Sequence, residues 1–231
     1  MLFGWFYFDW TILLVIPALI LSVWAQIKVN STFKRFSQFP TKKGIIAAQA
    51  ARRVLDENGL YDVRIEHVKG HLTDHYDPRT NVIRLSDSVY FSSSAAAIGV
   101  ACHEAGHAVQ YAKHYFPIKI RSAIIPVTKF GSMLAIPIFV IGLFLAADAL
   151  LLAGILLYSA VAFFQLVTLP VEFNASNRAL RAIEHSQMLD RNEYEASRKV
   201  LSAAAMTYVA ALASSLLTLL RLVILAGRRR N

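Results

Sequence analysis

The chain has 231 residues, 56% of them hydrophobic, and 24 basic against 15 acidic side chains leave a formal charge of +9. That apolar share is too large for an ordinary soluble domain. A single cysteine, Cys102, excludes an internal disulfide framework and fits a reducing compartment.

The first apolar stretch is WTILLVIPALILSVWA, residues 10–25, extended upstream by GWFYF. With that extension it reaches the roughly 20 residues needed to cross hydrocarbon, and Trp10 and Trp24 are placed to sit at the two interfaces. No basic segment precedes it and no A-x-A-like site follows it, so residues 1–27 read as a retained anchor and not a signal peptide. No Lys or Arg occurs before residue 28, whereas residues 28–53 carry seven and no acid. The positive-inside rule therefore predicts an outer N-terminus and a cytosolic unit over residues 28–120. Topology and the anionic inner leaflet account for this basic run, and no nucleic-acid partner is expected.

Within that unit, residues 44–60 read as an amphipathic helix stopped at Asn58-Gly59. VRIEHV (63–68) alternates as a strand, NVIRLS (81–86) reads as its partner, and Asp77-Pro78 marks the turn of a short β-hairpin. The polar LTDHYDPR around that turn offers either a functional rim or an ordinary turn. Ser92 to Ser94 can cap the next helix, which carries VACHEAGHAVQ, residues 100–110.

On that helix His103 and His107 are four residues apart and project from one face, with Glu104 beside them. This HExxH spacing lets two imidazoles reach one ion while a carboxylate stands by as general base, the arrangement of a zinc hydrolase. Ala101, Ala105, Gly106 and Ala108 keep the surroundings small. Cys102 points about 100° away from its neighbour and reads as core filling. Serines upstream and Lys113 and His114 downstream put the motif in the cytosolic unit, close to the inner leaflet, and outside any span.

Residues 121–170 form a transmembrane hairpin, with spans from about Phe130 to Ala147 and Ala149 to Leu169 hinged at Asp148. Residues 171–199 return to the cytosol as a helix that Pro170 can open. In the last unit, 200–231, the stretch from Val200 to Leu220 reads as a span, although Arg228, Arg229 and Arg230 would then emerge against the positive-inside rule. The alternative is a helix along the inner surface, with Arg221 and the triple arginine on headgroups.

A catalytic zinc usually takes three protein ligands and keeps a position for water. The metzincin pattern is absent, because Gln110 and Lys113 stand where it needs glycine and histidine. His114 lies well round the helix from the ligand face, and Asp148 is a membrane thickness away. Glu172, leaving the membrane on the side of the motif, is the expected third ligand, its other role being a helix N-terminal carboxylate. His75, Tyr76 and Arg178 are the candidate transition-state donors.

Four stretches in order, GHLTDHYDPRTNVIRLS (70–86), ACHEAGHAVQYA (101–112), LPVEFNASNRAL (169–180) and AAAMTYVAAL (203–212), resemble the YugP-like neutral zinc metallopeptidases, bacterial multi-pass membrane proteins. The resemblance covers nearly the whole chain. It implies a zinc endopeptidase of the bacterial plasma membrane, with His103 and His107 as ligands to one Zn2+ per chain and Glu104 as catalytic acid/base. A more distant similarity is to the membrane gluzincins that include the CAAX prenyl proteases and the HtpX heat-shock protease. It implies a glutamate ligand followed four residues later by a supporting aspartate; Glu172 matches, and Ser176 stands in the aspartate's place, where it can still hydrogen-bond a ligand.

The expected protein is mainly α, multi-pass with about four spans, and carries a small cytosolic α+β zincin-like unit. It would hydrolyse peptides or membrane proteins at the cytoplasmic face, the strand pair around residues 63–86 receiving the substrate as an added strand. The alternative is an idle zinc-containing scaffold or chaperone, which would not need Glu104. Nothing in the sequence specifies an oligomeric state.

Overall fold

The structure, a computed structural model, describes residues 10–230. The GWFYF extension expected to lengthen the first span lies outside the described residues. Four helices are long and apolar enough to cross a membrane: α1 (Ile16–Phe36, preceded by a 3-10 turn at Trp10–Leu14), α4 (Phe116–Phe144), α5 (Asp148–His185) and α6 (Arg191–Arg230). Their outer faces are strongly apolar and exposed at Leu19, Ile20, Ile27, Phe130, Met133 and Leu156. A belt of that kind is solvated by lipid and not by water.

In lipid, apolar burial gives helices little reason to associate, so close backbone approach takes over. Glycines supply it between α4 and α5: a Cβ on Gly131 would lie 2.9 Å from the Leu157 carbonyl oxygen, and one on Gly154 would lie 2.9 Å from that of Ala135.

The helices outrun the spans expected from hydropathy. The α4 helix begins at Phe116, three residues after α3 (Ala95–Ala112), so the predicted connection before Phe130 is helical. Pro170 lies inside α5 and does not open a new helix, as do Pro126 and Pro137 in α4. Membrane helices tolerate proline because neighbouring groups re-satisfy the one backbone bond it forfeits. Asp148–His185 is therefore one rod that carries Glu172 from the apolar layer to the elements around α3.

The remaining elements, α2 (Ala47–Glu57), β1 (Arg64–Val68), β2 (His75–Asp77) and β3 (Val82–Ser86), pack with α3 at one end of these rods. Leu55, Ile83, Leu85, Ile98, Ile183 and Met188 are fully buried where α2, the sheet, α3 and the α5–α6 turn meet. Ser94 caps α3 as expected, accepting the Ala97 N–H at 3.2 Å, and Gly59, at φ 74°, ends α2.

The sheet differs from the expected hairpin. Its order is β1-β3-β2, with β1 parallel to β3 and β2 antiparallel to it. The turn at Asp77-Pro78 joins β2 to β3, and Asp77 holds it by accepting from Arg79 N–H and the Thr80 and Arg84 side chains. The three-residue β2 is too short for alternation to announce it. Asp74 and Asp87 fasten the crossing from β1 by accepting the N–H groups of Ser86 and Gly70 at 2.7 and 2.8 Å.

Two outcomes are expected from this packing. A Cβ on Gly106 would lie 2.7 Å from the Ala175 carbonyl oxygen, so Gly106→Ala should force α3 from α5 and destabilise the protein by about 1–3 kcal/mol, read as a lower melting temperature in detergent. Cys102 is fully buried, and burial raises its thiol pKa far above the ordinary range, so alkylation should proceed only after denaturation.

Candidate metal centre

The capped helix α3 fixes His103 and His107 one turn apart, their ring centroids 4.7 Å from each other. The α5 rod crosses them at the Gly106–Ala175 contact, and Glu172, only 2% exposed, enters from the rod one turn earlier. His103 Nε2 and His107 Nε2 lie 3.3 and 3.6 Å from Glu172 Oε2. These three side chains form a group able to hold a metal ion.

Two observations fit them to a tetrahedral ion. Ligands about 2.1 Å from zinc at tetrahedral angles are separated by about 3.4 Å, which is the spacing found, whereas a charge-assisted hydrogen bond would draw N and O to about 2.8 Å. Glu172 Oε2 is also buried and, among the described residues, has no hydrogen-bond donor. An orphaned carboxylate oxygen facing two imidazoles is costly unless a cation completes it.

The protonation of His107 follows from its outer partners. Arg178 Nε can only donate, and it donates to Asn174 Oδ1 at 2.7 Å. The same oxygen accepts from Gln110 Nε2 (3.0 Å), which also donates to the Val171 carbonyl (2.8 Å). Gln110 Oε1 must then accept from His107 Nδ1, 3.0 Å away, so His107 Nε2 carries the lone pair. Ser176 Oγ stands 3.0 Å from His103 Nδ1 and can fix that ring similarly.

Glu104, 8% exposed, accepts the Tyr76 backbone N–H at Oε2 (3.0 Å), which ties β2 to α3. Arg121 of α4 binds the outer oxygen of Glu172, with Nη1 to Oε1 at 3.2 Å. Two cavities flank these side chains, of about 510 Å3 towards α1 and α6 and about 300 Å3 towards β2 and α4. Asp74, His103, Glu104, Glu172 and Tyr208 line both, so the cleft runs through the site. Burial raises the Asp74 carboxyl pKa, against the hydrogen bonds from Ser86 that lower it.

Of the candidate donors, His75 lines the smaller cavity. The Tyr76 hydroxyl is committed to Asn81 (2.8 Å) and its N–H to Glu104. Arg178 lines neither cavity, because its guanidinium anchors Asn174 on α5. His114 ends α3 with φ 53° and is not in the metal group. Sequence reasoning missed Gln110, Asp74, Arg121 and Tyr208. Gln110 alone had a local signal, being three residues after His107 on the same helix face.

The family model described as "putative neutral zinc metallopeptidase" matches residues 11–227. A relative from Bacillus subtilis (strain 168), named "Putative membrane protease YugP", is 50% identical over 222 residues, covering 95% of this chain and 99% of the relative. No solved structure matches the chain.

Gln110→Leu should weaken zinc retention by about 10–100-fold in a chelator competition, since it removes the acceptor that orients His107. Burial disfavours the His107 imidazolium, but the Glu172 carboxylate and the charge of Glu104 outweigh it and raise its pKa above 6.5. In the apo protein that proton competes with metal, so zinc affinity should be full above the raised pKa and fall as pH drops through it. Zinc content against pH checks this.

Proposed function

The chain belongs to the "putative neutral zinc metallopeptidase" family, and from that premise we propose that it is a membrane-bound zinc endopeptidase of the gluzincin kind. Its substrates are peptides or membrane proteins, cut at the cytoplasmic face of the bacterial plasma membrane. The observation that carries the reading is the convergence of His103, His107 and the undonated Glu172 oxygen beside Glu104. Seven basic residues within 28–53, the stretch that follows the first span, support the cytoplasmic orientation.

One zinc per chain, held by His103, His107 and Glu172, supplies Lewis acidity for the attacking water and the scissile carbonyl. Glu104 takes the proton from that water and passes it to the leaving amine. The Tyr76 N–H holds one Glu104 oxygen, so the other is the oxygen that moves the proton. His75 and Tyr208, both lining the smaller cavity, are the donors for the developing oxyanion. Arg121 neutralises the outer oxygen of Glu172 and keeps that carboxylate aligned.

Within residues 63–86, the edge strand β2 is the place where an extended substrate adds. Its residues line the smaller cavity, and the Tyr76 N–H points away from β3 towards the catalytic helix. An idle scaffold would use Glu104 only to hold the Tyr76 N–H and would need no general base beside the metal group, so that reading is not favoured.

Glu104→Gln should keep its zinc and lose peptide hydrolysis by at least about 10^2-fold to 10^4-fold, while Glu172→Ala should lose the metal. Hydrolysis of a quenched-fluorescent peptide library by detergent-purified protein, with zinc measured on the same samples, checks both. Undiminished hydrolysis by Glu104→Gln would refute the mechanism.

A further inference from the structure

Away from the metal centre, α1 and α6 enclose a groove of about 540 Å3. Its two walls are helical stripes: Trp24, Lys28 and Arg35 recur along α1, and Lys199, Ala203 and Met206 along α6. The groove is graded along its length. One end carries Trp24, Ala203 and Met206, level with the exposed apolar residues Ile20, Val23 and Ile27 of the first span. At the other end Arg35 and Lys199 approach the Phe36 ring from 5.4 and 6.0 Å. Lys28 and the hydroxyls of Ser31, Thr32 and Ser202 lie between.

No carboxylate lines this groove. Arg198, the fourth cation in its lining, is shared with Glu195 at 2.8 Å, whereas Lys28, Arg35 and Lys199 make no ion pair among the described residues. A cluster of uncompensated cations on two membrane helices, just where the apolar surface ends, has the polarity of one amphiphile. The acyl chains would run along the Trp24 and Met206 end, and a phosphate would meet the cations and hydroxyls.

We propose that the α1–α6 groove binds an anionic phospholipid, its phosphate held by Lys28, Arg35 and Lys199 and its chains against Trp24, Ala203 and Met206. The lipid would clamp α1 to α6, and Val29, Phe33, Val200 and Leu201 of those same helices line the larger cavity beside Glu104. The proposal does not depend on the peptidase reading, because no groove residue belongs to the metal group.

The test is native mass spectrometry of the full chain released from micelles containing equal amounts of phosphatidylglycerol and phosphatidylcholine. Wild type is compared with Lys28→Gln/Arg35→Gln/Lys199→Gln and with a control of equal charge loss outside the groove, Lys34→Gln/Lys113→Gln/Lys119→Gln. Each cation near an anionic surface is worth roughly fivefold, so retained phosphatidylglycerol should fall on the order of a hundredfold in the groove variant and stay near wild type in the control. Zinc content, unchanged in all three, certifies folding. Equal loss in both variants, or no preference for phosphatidylglycerol in wild type, would overturn the site. Displacement of the lipid by inorganic phosphate alone would reassign it to a free anion.

Discussion

The contact on which the rest depends is the crossing of α3 over α5 at Gly106 and Ala175. A helix that carries two metal-ligating histidines cannot offer a third ligand from the same face without distortion, so the third must come from another element. Here it comes from a 38-residue rod whose first half is apolar enough to sit in a membrane. The absence of a side chain at Gly106 lets the two backbones close until Glu172 meets the imidazoles. Any larger residue at 106 would move the carboxylate by the thickness of a methyl group, enough to spoil a site held to tenths of an ångström.

Around that crossing the polar groups form a directed chain. Arg178 cannot accept, which fixes Asn174, which fixes Gln110, which fixes His107. The direction matters more than any single bond, because it leaves His107 Nε2, the nitrogen facing Glu172, unprotonated. Arg121, from α4, does the matching work on Glu172 by meeting the oxygen that the metal would not use. Helix α3 thus brings two imidazoles and α4 one guanidinium to a single carboxylate carried by α5.

Much of this was legible in the sequence. His103, Glu104 and His107 announce themselves through spacing on one helix, and Ser94 through the cap rule. Glu172 was expected from topology, as a carboxylate leaving a span on the motif's side, and Ser176 entered only through the resemblance to membrane gluzincins, in the place of their aspartate. What stayed hidden was set by contacts between elements. The parallel pairing of β1 with β3 depends on a three-residue strand with no periodicity to show it. Arg121 and Tyr208 sit on membrane-length helices at positions that no local pattern marks. Pro170 marks a helix start in soluble proteins, but in α5 lipid and neighbouring helices permit it within a continuous rod.

His103, His107 and Glu172 would hold zinc through nitrogen and oxygen only, leaving the buried Cys102 outside the coordination sphere. X-ray absorption at the zinc edge of purified protein tests it most directly. The account predicts a shell of nitrogen and oxygen at about 2.0–2.1 Å with outer scattering from two imidazoles. A sulfur scatterer at about 2.3 Å, or a shell with no imidazole signature, would contradict it.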